Sequence, residues 1–473
     1  MKQIGFALML GLYLGASAWC AEVPAESPRV TSTVRLIRNL KDGVVAVFSD
    51  GKDFFIAGSG SVIHESGFIL TNNHVVEDRP GHVLFADGTV LTYELFGRIT
   101  EKDIAVIKVK ADHPFTRIPP GHSNDLMAGE PILVMGNPGA RGLVFSSGIL
   151  SSTGIFPKGP NALAMARFQE STRDRFLQFD ATSNQGNSGG PLVNAEGRQI
   201  GMVTLKDPHE NNTNYAIPMD RIRAWLLDLL APEERYGIWL GIKIDMQAEH
   251  AAVTAVEKDS PAAQAGVKAG DVITAVEHEP VRDPIDWLLG VCRTKGTKSL
   301  AFTVQRDGKS IDIGTERDPY PAPKLEAAEG KKSGLQYTLY YAEHLQTLPD
   351  FSKLTPETSG VASNLDPTLL AGLRKEHYAI VYEGYLKLDG EGFQRLVLSI
   401  DDGARLFLDG RLVLEDDGPH APQEASGPIC VHPGLHHLRI EYYNGVGAGE
   451  LKLFLRPNGG WQREITPAEF FHD

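Results

Sequence analysis

A serine set among glycines, Gly186-Asn187-Ser188-Gly189-Gly190-Pro191, is the sharpest chemical feature of the chain. Glycine on both sides lets the backbone turn tightly, exposes the hydroxyl and aims successive amides at one point. That layout serves a nucleophile beside donors for a developing oxyanion. A serine hydroxyl alone is a weak nucleophile and needs a base that a third group holds in place. His74, in Thr71-Asn72-Asn73-His74-Val75-Val76, and Asp103, just before Ile104-Ala105-Val106, supply those two residue types. The order His, Asp, Ser, with gaps of 29 and 85 residues, suits a hydrolase whose site lies between two β-barrels. Any one of the three reads as a turn residue in a β protein. Together they point to acyl transfer.

Such a site needs a β-rich frame, and the surrounding sequence supplies one. Val44 to Phe48, Ser61 to Ile63, Gly67 to Asn72, Ile104 to Val109 and Ile132 to Met135 are short apolar or alternating runs between glycine turns. Val83 to Phe96 folds back at Asp87-Gly88, a hairpin signal. Asp220 to Leu230 has helical spacing and closes this part near residue 230. A second part, 236–317, predicts a short helix over Ala262 to Ala265 and a longer one over Pro284 to Val291. Asp318 to Lys332 is rich in Pro, Ala, Glu and Lys and reads as a linker. The last part, 333–473, alternates again. The expected organisation is mainly β: a leader over 1–21, a double-barrel domain over 22–235, a second domain over 236–317, a linker over 318–332 and a β-sandwich over 333–473.

Thr71 to Val76, Asp103 to Val109 and Gly186 to Leu192 resemble the three signature segments of the HtrA (Do/Deg-like) serine proteases. Gly58-Ser59-Gly60 and Gly136-Asn137-Pro138 extend the resemblance over about residues 40–230. It implies a trypsin-like double β-barrel with His74 as general base, Asp103 as its orienter and Ser188 as nucleophile. The amides of Gly186 and Ser188 would form the oxyanion hole. It also implies a homotrimer and polypeptide substrates, with no cofactor needed for proteolysis. Gln185 stands where the family usually has proline, a change expected to ease flipping of the oxyanion turn. Asn214 to Pro218 resembles one wall of the primary specificity pocket and carries no acid, so small to medium aliphatic side chains are expected before the cut.

Asp259-Ser260-Pro261-Ala262-Ala263-Gln264-Ala265-Gly266, followed by Gly270-Asp271-Val272-Ile273, is a serine-capped short helix, a glycine stop and a strand. With Trp239-Leu240-Gly241-Ile242 ahead of it, the segment resembles a PDZ domain of the HtrA type. The resemblance implies that Leu240, Gly241 and Ile242 present amides to a peptide C-terminus, that Leu288 lines the pocket, and that the peptide adds as a strand. The bulky Trp239 and Trp287 leave open a second reading, a closed groove that only spaces the domains.

The third part centres on Asp401-Asp402-Gly403, an alternating strand and the turn Asp409-Gly410. With Gly434 to Tyr443 it resembles the protective-antigen-type β-sandwich found in toxins, glycosidases and flocculin adhesins. In lectin members a paired-aspartate turn holds calcium that grips sugar hydroxyls, so Asp401 and Asp402 are candidate Ca²⁺ ligands and glycans candidate partners. The other reading is a turn kept for hairpin geometry. Asp416-Asp417-Gly418 is expected to be solvated. His432, His436 and His437 lack zinc spacing, and His436 and His437 should face opposite sides of one strand.

Composition narrows the function classes. The 473 residues hold 46 basic and 60 acidic side chains, a net charge of −14, which disfavours binding to nucleic acid. From Asp318 onward there are 23 acidic against 14 basic residues. Met1-Lys2, the apolar stretch Ile4 to Ala18 and Ala16-Ser17-Ala18 read as a secretory signal peptide, so a soluble periplasmic or surface-associated protein is expected. Cys292 and Cys430 fall in different domains and read as buried thiols. The sequence thus supports an exported serine endopeptidase that degrades unfolded or damaged envelope proteins. The competing reading is a surface-binding protein or chaperone that uses the same fold as a scaffold.

Overall fold

The computed structural model describes residues 27–50, 55–76, 80–100, 102–137, 142–155, 175–184, 186–206, 212–294, 296–319, 325, 329–343, 345–370, 372–420, 422–447, 449–457 and 462–473. The expected signal peptide and Gln185 lie outside them. Strand dominates, and no helix among the described residues is long and apolar enough to cross a membrane. The chain groups into two compact units. One holds most residues up to Met219, and the other includes Asp220–Asp473 and the segment Phe96–Ile104.

The first unit opens with α1 (Ser32–Leu40), started by Thr31, whose Oγ1 accepts from the Val34 amide at 3.2 Å. The strand Val44–Asp50 pairs antiparallel with Phe55–His64 and Gly81–Leu84. Phe55–His64 pairs in turn with Phe68–Thr71, which pairs with Ile104–Lys108. The short α2 (Asn73–Val76) follows Thr71 after the single residue Asn72. Strands between Pro131 and Pro218 close a six-stranded barrel, as the turn-rich sequence leads one to expect. The first sheet has an open strand order instead. Leu40, Val44, Ile118, Leu133, Met135 and Val193 form one buried cluster that seals α1 and both sheets together. Val44 to Val47 and Ile104 to Ile107 are buried without interruption, because both faces of these strands are covered.

The second unit begins with α3 (Met219–Leu230) and turns at Ala231, φ 30°, into α4 (Pro232–Tyr236). Gly237, φ 59°, ends α4 in the left-handed region. Six antiparallel strands form the next sheet, with Ile242–Ile244 at one edge, Lys309–Glu316 at the other and the short Glu279–Pro280 paired to Val272–Val276. The short α5 (Pro261–Gln264) is capped by Ser260, whose Oγ accepts from Ala263 at 3.1 Å. In α6 (Pro284–Arg293), the Asp283 carboxylate accepts from the amides of Ile285 and Asp286, each at 3.0 Å. Every α6 residue but Arg293 is buried.

Ile238–Trp239 pairs with Asp318–Pro319, and the strands beyond form an eight-stranded and a four-stranded sheet. Leu339, Ile380, Tyr382, Leu398, Leu406, Ile440 and Leu453 are buried together between them. Each such leucine or isoleucine contributes about 1.5–3 kcal/mol of burial. Three arginines bind this unit together. Arg223, 1% exposed, donates to the carbonyls of Met246 and Ala248 at 3.2 Å each. Arg235 donates to Leu229, Leu230 and Phe96 carbonyls and stacks on the rings of Phe96 and Phe393, 4.5 Å from each centroid. Arg395 donates to the Asp228 carbonyl at 3.0 Å. Part 236–317 and the sandwich therefore pack as one body around α3 and α4.

Candidate active site

The Ser188 turn is held by backbone bonds on every side. Asn187 N–H donates to Asn184 at 3.0 Å, Gly189 N–H to Val203 at 2.8 Å and Gly190 N–H to Asn187 at 2.9 Å. Gly186 (φ 101°) and Gly189 (φ 84°) occupy the left-handed region where a side chain is strained. A Cβ on Gly189 would also lie 2.3 Å from the Ser59 carbonyl and from Thr71 Oγ1. The amides of Gly186 and Ser188 donate to no acceptor among the described residues. Two adjacent donors left open beside a nucleophile are the chemical requirement of an oxyanion site.

Ser59, quoted above only for its glycines' resemblance, is the strut of this turn. Its hydroxyl donates to the Gly186 carbonyl at 2.7 Å and accepts from Asn137 N–H at 2.9 Å. Its amide donates to the Ser188 carbonyl at 2.8 Å, and its carbonyl accepts from Thr71 Oγ1 at 2.8 Å. Ser59 thus ties the serine turn to the strand that leads into His74. Gly58 allows the same approach, since a Cβ there would sit 2.6 Å from Val75 Cγ2 and 2.9 Å from the Ser188 carbonyl. Thr71 faces Ala105 in the pairing of Phe68–Thr71 with Ile104–Lys108. The chain therefore runs on to His74 at the sheet end where the other strand begins after Asp103.

His74 is partly buried on α2, and Ser49 Oγ fixes that turn by donating to the Val75 carbonyl at 2.7 Å. Asp103 is 1% exposed, φ 50°, with its amide on the Thr100 carbonyl at 3.1 Å. It groups with the second compact unit, whereas His74 and Ser188 belong to the first. The Ser188 hydroxyl donates to the Thr204 carbonyl at 3.1 Å. No sequence signal marked Thr204 or the Ser59 strut, because both act through long-range backbone contacts. Asn214 and Ile217 are buried, and Asn214 Nδ2 donates to the Ala181 carbonyl at 2.9 Å.

In the second unit, Leu240 is buried, Gly241 has φ 76°, and Ile242 opens the edge strand. A Cβ on Gly241 would meet Ser260 Cβ at 2.4 Å, so only glycine fits. The Gly241 amide is taken: it donates to Glu233 Oε1 at 3.1 Å. Burial, together with the neighbouring Glu234, pushes the Glu233 carboxyl up to about 7. Trp239 Nε1 donates to Glu257 at 2.7 Å, and Lys243 pairs with the same carboxylate at 3.1 Å. Leu288 is buried on α6 and lines a cavity of about 240 Å³.

In the sandwich, both Asp402 oxygens accept backbone amides, from His420 at 3.1 Å and Gly445 at 2.6 Å. Burial and the Asp402 charge push the Asp401 carboxyl up to about 6. Next to Gly445, the buried Oδ1 of Asn444 has no hydrogen-bond partner. No group of three His, Cys, Asp or Glu converges on one point among the described residues. Asp416-Asp417-Gly418 is not solvated as expected. Asp417 accepts from the Leu348 amide at 2.7 Å, and Asp416 accepts from Gln423 at 2.7 Å. His436 is buried between Asp409 (2.7 Å) and the His432 carbonyl (2.6 Å), while His437 is more exposed. Cys292 is a buried free thiol, whereas Cys430 is only partly buried, because it alternates with the core residues Ile429 and Val431 and points to the other face of its strand.

Three family descriptions match the chain: trypsin-like peptidase domain over residues 58–202, PDZ domain over 239–316 and PA14 domain over 331–468. A "Probable periplasmic serine endoprotease DegP-like" of Brucella suis biovar 1 (strain 1330) is 32% identical over 332 residues. That match takes in 66% of this chain and spans only 61% of the relative's length. "Serine endoprotease DegS" of Haemophilus influenzae (strain ATCC 51907 / DSM 11121 / KW20 / Rd) is 30% identical over 273 residues, 56% of this chain and 77% of the relative. DegS of Escherichia coli (strain K12) is 30% identical over 286 residues, again 56% and 77%.

Proposed function

The chain belongs to the HtrA-type serine endoproteases that include DegS, and on that premise we propose that it cleaves exposed polypeptide in the periplasm through an acyl-enzyme. The observation that carries this reading is the Ser188 turn, strapped by Ser59 to the His74-bearing segment with two amides left open beside the hydroxyl. The compartment rests on the signal-like N-terminal sequence and on the printed names of the DegP-like relatives.

In this mechanism Ser188 Oγ turns from the Thr204 carbonyl toward His74, which takes its proton as the Oγ–carbonyl carbon bond forms. Asp103 holds the imidazole in the tautomer that accepts. The negative oxygen is met by the Gly186 and Ser188 amides, each donor being worth roughly 10²–10³ in turnover. His74 then protonates the leaving amine, and water repeats the sequence in reverse to free the enzyme. Asn214 to Pro218 walls a pocket for small to medium aliphatic side chains. The reading is tested by incubating the mature protein with a biotinylated fluorophosphonate and mapping the adduct by mass spectrometry. Labelling at Ser188 that disappears in His74→Ala supports it, and no adduct at Ser188 contradicts it.

The sandwich carries a second proposal, that Asp401 and Asn444 hold Ca²⁺ while Asp402 keeps the turn in shape, with glycan as the outer ligand. The orphaned Asn444 oxygen and the raised Asp401 support it. A homotrimer is proposed on the family resemblance alone.

A further inference from the structure

We propose that Glu233 is an internal ligand of the Leu240-Gly241-Ile242 loop, and that a peptide C-terminus with an apolar last residue enters this site only by displacing it. The inference rests on the PDZ reading and goes beyond it. Gly241 N–H donates to Glu233 Oε1 at 3.1 Å, so a carboxylate already sits where a peptide's terminal carboxylate would bind. The loop is rigid at that point. Leu240 and Gly241 carbonyls accept from Ala262 at 3.1 Å and Glu257 at 2.8 Å, which fixes the direction of the intervening amide.

The surroundings fit a peptide end. Ile242–Ile244 is the edge strand of its sheet and pairs only with Ala251–Val256 among the described residues. Beside it lies the cavity of about 240 Å³, with Leu240, Trp287, Leu288 and Val291 on one side and Val413 and Pro428 of the sandwich on the other. An apolar side chain fits that lining, and an added strand fits the open edge. The sandwich therefore forms the outer wall of the groove. Arg235, two residues after Glu233, is clamped between Phe96 and Phe393 and keeps α4 pointing its acid at the loop. Displacement of Glu233 thus strains a helix that the sandwich holds.

The charges around Glu233 set the direction of a pH effect. On α4, Glu234 repels it. From the sheet, Glu257 repels it and Lys243 attracts it. Asp228 of α3, itself raised by burial, lines the same cavity. From the sandwich, Arg411 acts on Glu257, while Glu234 faces Cys430. With the Glu233 carboxyl pushed up to about 7, protonation below that pH leaves a neutral, weaker acceptor on Gly241 and removes repulsion toward an incoming carboxylate. Peptide affinity should rise as pH falls from 8 to 6.

The test uses the full mature chain carrying Ser188→Ala, to prevent cleavage, and a fluorescein-labelled decapeptide ending in valine. Anisotropy is read for the free-acid and C-terminal amide forms at pH 6 and pH 8, with melting curves to verify folding. Glu233→Ala should bind the free acid at least about tenfold tighter than Glu233 at pH 8, a difference of ~1.4 kcal/mol. Glu233→Gln keeps the side chain in place without charge and should bind with no pH dependence, which preserves the test if alanine unsettles α4. The amide form should bind poorly to all three. Equal free-acid affinities with equal pH dependence would overturn the internal-ligand proposal and leave the peptide site standing. No free-acid binding by any variant would overturn both.

Discussion

The Ser59 hydroxyl donates to the Gly186 carbonyl at 2.7 Å while it accepts from Asn137 at 2.9 Å. The amide opposed to that carbonyl across the same peptide, Asn187 N–H, donates to the Asn184 carbonyl at 3.0 Å, so this peptide plane is pinned from both sides. The buried strut couples the turn to both sheets of the first unit, since Ser59 lies on Phe55–His64 and Asn137 follows Pro131–Gly136.

Removing the strut should therefore loosen the oxyanion turn rather than substrate binding. Ser59→Ala leaves a buried carbonyl and a buried amide without partners, a loss of about 1–3 kcal/mol. Turnover on a peptide substrate should fall roughly ten- to hundredfold, with KM changed far less. Steady-state kinetics check this. An equal loss in kcat and stability with KM raised in parallel would assign Ser59 a purely structural role.

Gly189→Ala meets two obstacles at once, a positive φ and a Cβ 2.3 Å from the Ser59 carbonyl and Thr71 Oγ1. The atoms in the way are a backbone oxygen and a pinned hydroxyl, which cannot move aside cheaply. Activity should drop below detection and the melting temperature of the first unit should fall. Gly88→Ala, with a similar φ of 89° but nothing near its Cβ, should cost activity little in the same assay.

Asp401 links pH to the stability of the sandwich. Its carboxyl is raised to about 6 by burial and by Asp402, so the folded protein favours the protonated form. Stability from this group is fully present below the ordinary carboxylate range, near 3.9, and is lost as pH rises through about 6. In EGTA, Asp401→Asn should thus raise the melting temperature at pH 8 and change it little at pH 4. With Ca²⁺ the sign reverses for the native residue. The cation needs the ionised carboxylate, so Ca²⁺ should stabilise the native protein at pH 8 and lose its effect below pH 6. A melting temperature indifferent to Ca²⁺ at pH 8 contradicts the calcium proposal.

The local chemistry of both sites was legible because it is written in consecutive residues. Gly-Asn-Ser-Gly-Gly needs its glycines for turn geometry, and Ser260 and Asp283 mark helix starts wherever they occur. The helix expected over Asp220 to Leu230 is Met219–Leu230 in the structure, and that over Pro284 to Val291 runs to Arg293. What escaped sequence reading depends on distant partners. Ser59 meets Gly186 across 127 positions, and Asp417 meets Leu348 across 69. The latter contact explains why an acidic turn that reads as solvated is instead a structural tie. Glu233 is only 8 residues from Gly241, yet the return of its carboxylate depends on the αL corner at Ala231 and the stop at Gly237. A pair of glutamates after a proline looks like an ordinary helix start. Neither pattern nor propensity reveals that the half-buried first of them bonds back to the Gly241 amide.

The most direct test of the central claim is cleavage of unfolded casein by the mature protein beside its Ser188→Ala variant. The account predicts fragments that accumulate with the native serine and are absent with alanine, while both variants melt at similar temperatures. Equal cleavage by the two, or none by either, would contradict it and leave the trypsin-like fold as a scaffold for binding.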